Sequence, residues 1–600
     1  MAILHTTGTK LEIEAPVVPL NRSFLFSIGF VFIIAMHFFT QNPGGSGLAL
    51  SFNPATWIGL SVTFAIGLYQ LATNHQLRYS RLTIGLIISC ILLTIPELYP
   101  DSNIDESITR LTGLWAGMLF FVLLQQFHFS NKQKQRILWF IVIAVAIESL
   151  FGYFQYLFLQ PGNYFGYDTV VNRPYGIFQQ PNVMASFLAT GLALSGYLLA
   201  RQPFKYQTKI STVTLLYVTP ALTVPLLIVL ASRTGWLGAA ISIFILLPYL
   251  YYHSSVKRFA GWGSSIIVGI LLGMLLAISF SGGVGEKNVL EKAKLDSPRF
   301  DIYAQTIDMF VEKPFTGYGY GKFEPSYLLY TARQHQLNPN YPPGTPSLSH
   351  PHNELLYWAV EGGLVPILGI LLAASMILIR IYHGKKGTRL AVFALFVPIV
   401  LHTQLEYPFY HSSIHWIIFV ILLFWVDQRT AIYQTLPFSE ISKALLRIAS
   451  LMLPIVTAFY MASALHSNYV LTKFEHTVPP NPEILSEVTN PVVWKDRLDW
   501  DIYSTYLKIG LVSKDAKFIQ PYIDWSLKVI KRKPRAAFYI NLIIAYQGLG
   551  EDRKAKEIQT EAEYLFPKQD FTKVKYLPPS AGVIPVKQHG PQVKNEGQAK

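Results

Sequence analysis

Charge is scarce in this chain. Asp, Glu, Lys and Arg make up 14% of its 600 residues, against about a quarter in a soluble globular chain, while 51% are hydrophobic and mean hydropathy is +0.33. That balance excludes a string of soluble domains. Apolar runs approaching about twenty residues indicate a polytopic integral membrane protein instead. Cysteine is nearly absent: the single Cys90 lies in the apolar run Leu82 to Pro96, which excludes an intrachain disulfide and a thiol-based metal cluster and leaves the redox compartment unreadable. Acids are outnumbered, 35 against 49 Lys and Arg, for a net charge of +14. In a soluble chain that excess points to nucleic acid; in a membrane protein it marks cytoplasmic loops, so no nucleic-acid partner is expected.

Hydropathy predicts an all-α helical bundle of thirteen spans: 22–40, 55–73, 80–98, 109–128, 137–159, 183–200, 211–230, 235–252, 261–280, 353–379, 390–405, 412–428 and 445–465. The first lacks a small-residue cleavage site and reads as an uncleaved signal anchor. Lys and Arg cluster in alternate loops, around Arg78, Lys132, Arg201, Lys205 and Lys209, Lys257, Lys385 and Arg429. The positive-inside rule makes these cytoplasmic and predicts an N-in, C-out topology. The expected organisation is a cytoplasmic tail (1–21), a membrane domain (22–465) holding an outer loop at 281–351, a soluble helical region (466–577) and a disordered end (578–600). In the outer loop, Pro298 to Lys313 has helical apolar spacing, followed by a stretch rich in Tyr, Gly and Pro. Pro534 and Pro567 each close a helical-hairpin-like stretch, and residues 536–567 resemble one tetratricopeptide unit.

Few ionisable groups fall on the outward side. Arg173, Gln180 and Asn182 stand in Arg173-Pro-Tyr-Gly-Ile-Phe-Gln-Gln-Pro-Asn182, where Pro and Gly give an irregular backbone and the side chains supply donors for an anionic headgroup; snorkelling and an N-cap at Asn182 are the plainer alternative. Arg233 sits in a short turn between two spans, where an arginine needs a carboxylate, phosphate or backbone carbonyls. Arg299 opens an amphipathic stretch and by itself reads as a salt bridge to Asp301 or Asp296. In Ser349-His-Pro-His-Asn-Glu354, a histidine at a helix mouth is suited to accept a proton near neutral pH. His350 and His352 have no third ligand at metal spacing in the local sequence, so neither a metal nor a cofactor is expected. Glu406, in Glu406-Tyr-Pro-Phe-Tyr-His411, orients a histidine or caps a helix.

At these residues the chain resembles the bacterial O-oligosaccharyltransferases of the PglL type, within the larger family of O-antigen ligases and polymerases. Arg173-Pro-x-Gly-x-x-x-Gln-Pro-Asn182 resembles the protein glycosylation ligase signature, His352-Asn353 with Gly363 the ligase His motif, and Glu406-Tyr-Pro408 the downstream outer-loop motif. Pro366 replaces a glycine often found there in the family. The resemblance covers roughly residues 140 to 430. It implies en bloc transfer of a glycan from an undecaprenyl-pyrophosphate donor to a Ser or Thr hydroxyl of a periplasmic acceptor such as pilin, at the outer face of the bacterial inner membrane and without a metal. His352 would be the general base, with His350 the second choice. Arg173, Arg233 and Arg299 would bind the pyrophosphate, and Gln180, Asn182, Tyr320, Asn353 and Glu406 would line the substrate site. Tyr318, Tyr320, Tyr327 and Tyr330 either stack on sugars or pack the loop. The rivals are an O-antigen ligase acting on lipid A-core, a Wzy-type polymerase, a transporter, for which no internal repeat is evident, and a non-enzymatic scaffold.

Overall fold

The computed structural model describes residues 20–202, 210–279, 284–293 and 299–577. Outside them lie the expected N-terminal tail up to residue 19, Lys205 and Lys209, residues 281–283 and 294–298 of the outer loop with Asp296, and the 578–600 end.

A segment surrounded by lipid must satisfy its backbone internally, and the apolar runs accordingly form helices. In chain order these are α1 (Asn21–Ile33), α2 (Phe52–Asn74), α3 (Arg81–Thr94), α4 (Ile104–Gln125), α5 (Asn131–Phe158), α6 (Pro181–Ala200), α7 (Ile210–Val229), α8 (Arg233–His253) and α9 (Val256–Ser279). The outer loop holds α10 (Val284–Ala293), α11 (Arg299–Glu312) and α12 (Phe323–Leu337). Then come α13 (Glu354–Gly362), α14 (Leu364–His383), α15 (Arg389–Ala394), α16 (Val397–Thr403), α17 (Pro408–His411), α18 (Ser413–Thr430) and α19 (Glu440–His476), and finally α20 (Lys495–Ser513), α21 (Ala516–Val529), α22 (Ala536–Gly548) and α23 (Asp552–Leu565). Among the described residues ten helices are long and apolar enough to cross a membrane, or eleven if α15 and α16, bent by 45°, form one broken span; α1 with its following turn and Val213–Val229 of α7 are apolar but shorter. The chain is thus an all-α, multi-pass membrane protein, and each hydropathy segment falls on one of these helices or broken helices.

Several boundaries differ from expectation, α1 for instance ending at Ile33, and two of the differences have a clear tertiary cause. The run 353–379 is not one helix: it breaks at Gly363, whose φ is +70° and where a Cβ would lie 2.2 Å from the Phe315 carbonyl oxygen. The amide of Leu364 donates to the Pro314 carbonyl across this junction (2.9 Å). Pro366 therefore falls in the first turn of α14, where its missing N–H leaves no intrahelical bond unmade. The last hydrophobic helix also continues beyond 465, because its polar end is stapled: Asn468 Nδ2 donates to the Ala49 carbonyl (2.9 Å), and Arg497 donates to Asn468 (2.6 Å), Thr472 (3.0 Å) and Glu475 (2.7 Å).

At the centre stands α6, buried on all sides from Val183 to Ala200. Its small residues permit this: at Gly191 a Cβ would meet Val145 Cγ1 of α5 at 2.4 Å. At one end of the bundle, β1 (Gln76–Tyr79) and β2 (Gln434–Pro437) pair antiparallel, with Gln76 opposite Pro437 and Tyr79 opposite Gln434. They tie together two loops of the Lys/Arg-rich set. At the other end α20/α21 and α22/α23 form helical hairpins. Their core, which includes Tyr522, Tyr539 and Leu542, extends onto Leu328 and Ala332 of α12. Arg535 grips Glu324 of α12 with two bonds (2.8 and 3.1 Å), and Arg532 reaches Glu106 of α4 (2.6 Å).

Candidate active site

The buried helix α6 places its first residues at the middle of this end of the bundle. Gln180 caps it, Oε1 accepting from the amides of Asn182 (2.6 Å) and Val183 (3.2 Å), and Pro181 takes the first helical position. The cap is therefore Gln180 and not Asn182, since Pro181 at the first helical position puts the boundary two residues earlier. Asn182 is left to bridge: its Oδ1 accepts from Ser232 Oγ (2.7 Å), and its Nδ2 donates to Glu406 Oε1 (3.3 Å). Ser232 in turn caps α8, so Arg233 is that helix's first residue. The preceding loop is held from α5. Gln155 Oε1 accepts from the amides of Tyr175 (3.0 Å) and Gly176 (2.8 Å), and Glu148 Oε2 from that of Ile177 (2.9 Å), while His37 Nδ1 bonds the other Glu148 oxygen (2.6 Å). Glycine is required at 176: φ is +59°, and a Cβ would meet Glu148 Oε2 at 2.4 Å. Arg173 donates from Nε to the Leu230 carbonyl (2.9 Å) and from Nη2 to that of Ala231 (3.1 Å), which secures the turn before Arg233. Burial pushes its guanidinium down to about 10, so it stays charged at neutral pH.

Glu406, buried after α16, is the hub. Oε2 bonds His352 Nδ1 (2.8 Å), and Oε1 receives Arg299 Nη2 together with Asn182. Burial alone would raise this carboxylate, but the His352, Arg299 and His350 groups around it hold it well below the usual range. His352 adopts φ +55°, in the left-handed region. Tyr303 Oη fastens its carbonyl (3.1 Å), and Asn353 caps α13, accepting from the Leu356 amide (3.0 Å) and donating to the Gln404 carbonyl (3.1 Å). With Nδ1–H given to Glu406, Nε2 of His352 carries the lone pair, the tautomer a general base needs. His350 lies beside it, ring centroids 4.5 Å apart, its Nδ1 on Ser349 Oγ (3.1 Å) and its Nε2 buried without a hydrogen-bond partner among the described residues. Burial first and His352 second hold His350 well below the ordinary imidazole range, which keeps it neutral.

Positive charge converges on the same place. Arg233 Nε donates to the Lys292 carbonyl (2.7 Å). The Lys292 ammonium is pushed down by burial and then by Arg173, Arg233 and Arg299, with Glu291 opposing. Forked guanidinium groups with a lysine beside them suit a diphosphate. The ligand atoms of His350, His352 and Glu406 also lie within 4.8 Å of one another and are the group here that could hold a metal. Sequence reasoning missed this third ligand because Glu406 is 54 positions from His352. Arg299 occupies the same carboxylate, and its charge disfavours a dication there, so the donor set fits an anion beside a base better than a metal.

The structure thus gathers Asn182, Arg233, Arg299, His352, Asn353 and Glu406, with Arg173 and Gln180 shaping the adjoining turns. Tyr320 is not among them. It is fully buried, donates to the Leu93 carbonyl (2.8 Å), and lies under Arg110, 4.4 Å from ring centroid to guanidinium. Tyr327 and Tyr330 pack inside the loop with Ile302 and Met309, and the Tyr318 hydroxyl bonds Glu312 (2.9 Å). Ser232, Tyr303 and Lys292 were not singled out from sequence. A cap signal three residues before Gly235 marks Ser232, and the helical spacing from Arg299 marks Tyr303.

Comparison with known proteins covers the same elements. Residues 174–199 match the family described as protein glycosylation ligase, 219–371 that described as O-antigen ligase, and 390–579 that described as virulence factor membrane-bound polymerase, C-terminal. The general O-oligosaccharyltransferase of Acinetobacter baylyi is 26% identical over 324 residues, 50% of this chain and 52% of that protein. The ComP-specific O-oligosaccharyltransferase of the same organism is 22% identical over 362 residues, 58% of this chain and 62% of that protein. The matched region spans about half to three-fifths of these relatives' length. The O-antigen ligase match includes Arg233, Arg299 and His352, the polymerase match includes Glu406, and the chain is thus similar in sequence to the O-antigen ligases and to PglL-type O-oligosaccharyltransferases.

Proposed function

We propose that this protein transfers a preassembled glycan from undecaprenyl pyrophosphate to a Ser or Thr hydroxyl of a protein such as pilin, at the periplasmic face of the bacterial inner membrane. The observation that carries the reading is the Glu406 carboxylate shared between His352 and Arg299. It sets a proton acceptor next to an anion clamp. In the reaction, His352 Nε2 takes the hydroxyl proton as that oxygen attacks the anomeric carbon. The glycosidic C–O bond to phosphate breaks, and its electron pair leaves on the diphosphate. Glu406 stabilises the imidazolium that forms, while Arg299, Arg233 and Lys292 meet the charge growing on the leaving group. Attack opposite the departing phosphate inverts the anomeric centre. Asn182 and Asn353 hold Glu406 and the His352 backbone, and Arg173 holds the turn that presents Arg233.

The match of residues 219–371 to the O-antigen ligase description favours a second acceptor, a sugar hydroxyl on lipid A-core. One experiment separates the two. The purified protein in lipid nanodiscs is given a lipid-linked glycan with either an acceptor peptide or lipid A-core. Transfer to the peptide, abolished by His352→Ala and retained by a folded control variant, supports the proposal. Transfer to lipid A-core alone refutes the protein acceptor, and an unimpaired His352→Ala refutes the base.

A further inference from the structure

The helix that begins with Arg299 is apolar on both sides. One face of α11, with Ile302, Gln305, Thr306 and Met309, is buried in the outer loop. At about 100° per residue, Phe300, Ala304, Ile307 and Val311 fall on the opposite face, within one narrow stripe. That stripe is bare: Phe300 is 71%, Ile307 47% and Val311 68% exposed. The exposed Asp301, Asp308 and Glu312 lie together along one edge. Interleaved apolar and charged exposure would suit a helix in water. A clean apolar stripe with its acids on one flank suits a boundary between two media.

What lies at the ends of the stripe identifies the second medium. Past its C-terminus, exposed Phe315 stands at the junction where the Pro314 carbonyl accepts from the Leu364 amide (2.9 Å) and Gly363 touches the Phe315 carbonyl. That junction is the start of α14. Only 17% of the apolar window of α14 is buried within the protein, and Leu368 and Leu371 on its outer side are 57% and 52% exposed, as lipid contact requires. The apolar surface of α11 therefore runs on into a surface that faces lipid. At its other end Arg299 reaches Glu406.

We infer that the Phe300, Ala304, Ile307 and Val311 face of α11 rests on the bilayer, so that the helix lies in the membrane–water interface with Arg299 at headgroup depth. The inference deepens the proposed function, since a polyprenyl diphosphate would meet its clamp without drawing its chain out of the bilayer. The placement itself stands on the bare stripe of α11 and its continuity with α14, and does not require that function.

Two measurements test it. The chain has one cysteine, buried Cys90, so spin labels at Ile307→Cys, Val311→Cys and Asp308→Cys in a Cys90→Ser background report single sites. In nanodiscs of phosphatidylethanolamine and phosphatidylglycerol, positions 307 and 311 are expected to be more accessible to oxygen than to a water-soluble nickel complex, and position 308 the reverse. Equal access of the nickel complex to all three overturns the inference. So does an apolar signature at 307 and 311 that appears only when an acceptor protein is added, which would make the stripe a protein-docking surface. In transfer assays, Ile307→Glu with Val311→Glu should raise KM for a long-chain polyprenyl donor about tenfold and leave a short-prenyl donor nearly unaffected; equal losses on both donors reject the lipid contact. Failure of transfer chemistry in the parent protein would leave the spin-label result standing, so the two ideas fail separately.

Discussion

Replacing Glu406 by Gln removes one negative charge and little volume from the hub. The parent carboxylate bonds His352 at 2.8 Å and pairs with Arg299 and Asn182. Each charge-assisted bond of this kind contributes about 1.5–3 kcal/mol. The share that counts for rate is the His352 bond, because it strengthens as the imidazole becomes imidazolium. Losing about 1.5–3 kcal/mol of transition-state stabilisation slows turnover by about 10- to 150-fold. The amide can also present its NH2 to His352 and favour the wrong tautomer, which would carry the loss to the upper end. The donor affinity should change far less, since Arg299 loses its carboxylate partner and keeps its charge. The assay is single-turnover glycan transfer in nanodiscs, with donor binding measured separately. A kcat within twofold of the parent, or a loss confined to donor affinity, would refute Glu406 as the partner of the base.

The other outcomes are equally direct. Arg110 and the fully buried Glu361 form an ion pair at 2.8 Å, so Arg110→Met alone should destabilise the folded protein by about 3–5 kcal/mol, while adding Glu361→Met should recover much of that; thermal unfolding in detergent measures both. Gly363→Ala, forced into φ +70° against the Phe315 carbonyl, should cost about 1–3 kcal/mol and separate α13 from α14, seen as a lower Tm with reduced transfer. Asp501 in α20 is buried with Oδ2 unbonded among the described residues, and burial followed by Glu475 pushes it up to about 8. Its folded value is above the unfolded one, so the folded state binds the proton more tightly, and stability falls by about 1.4 kcal/mol per unit as pH rises from about 4 toward 8. Asp501→Asn should therefore match the parent near pH 4 and raise the Tm of the C-terminal helices at pH 8; an equal Tm at pH 8 would refute the shift.

The membrane helices were legible because lipid imposes a length and an apolar composition that a single sequence displays. Several boundaries moved: α1 ends at Ile33, short of 40, and α4, α5, α9 and α19 begin five or six residues earlier than expected, while the Phe315 carbonyl at Gly363 and the Arg497 staple on the end of α19 account for two larger departures by tertiary contact. Helix α12 was not expected, since its surroundings are rich in Tyr, Gly and Pro. The glycines and prolines bracket it, and Phe323, Tyr327 and Leu328 supply the buried side that sustains it. At the site, residue types and the family resemblance pointed to His352, Glu406 and the arginines. The pairing did not show, because Arg299 and Glu406 are 107 positions apart and no local pattern links them. Tyr320 lies away from these residues. Of the two readings open to an aromatic in this loop, stacking on sugar or packing, it takes the second, covering Arg110.

The shared core between α12 and the C-terminal hairpins bears on how such proteins can be recombined. Leu328 and Ala332 belong to the same apolar cluster as Tyr522 and Tyr539, and Arg535 locks onto Glu324. A chimera that exchanges residues after α19 between relatives, and leaves α12 behind, would strip cover from both halves and set a foreign side chain against Glu324. Grafts of the C-terminal hairpins should therefore move α12 with them. By the same reasoning, substitutions at Arg535 are expected to be matched by changes at Glu324, some two hundred positions upstream, in the loop that also carries Arg299.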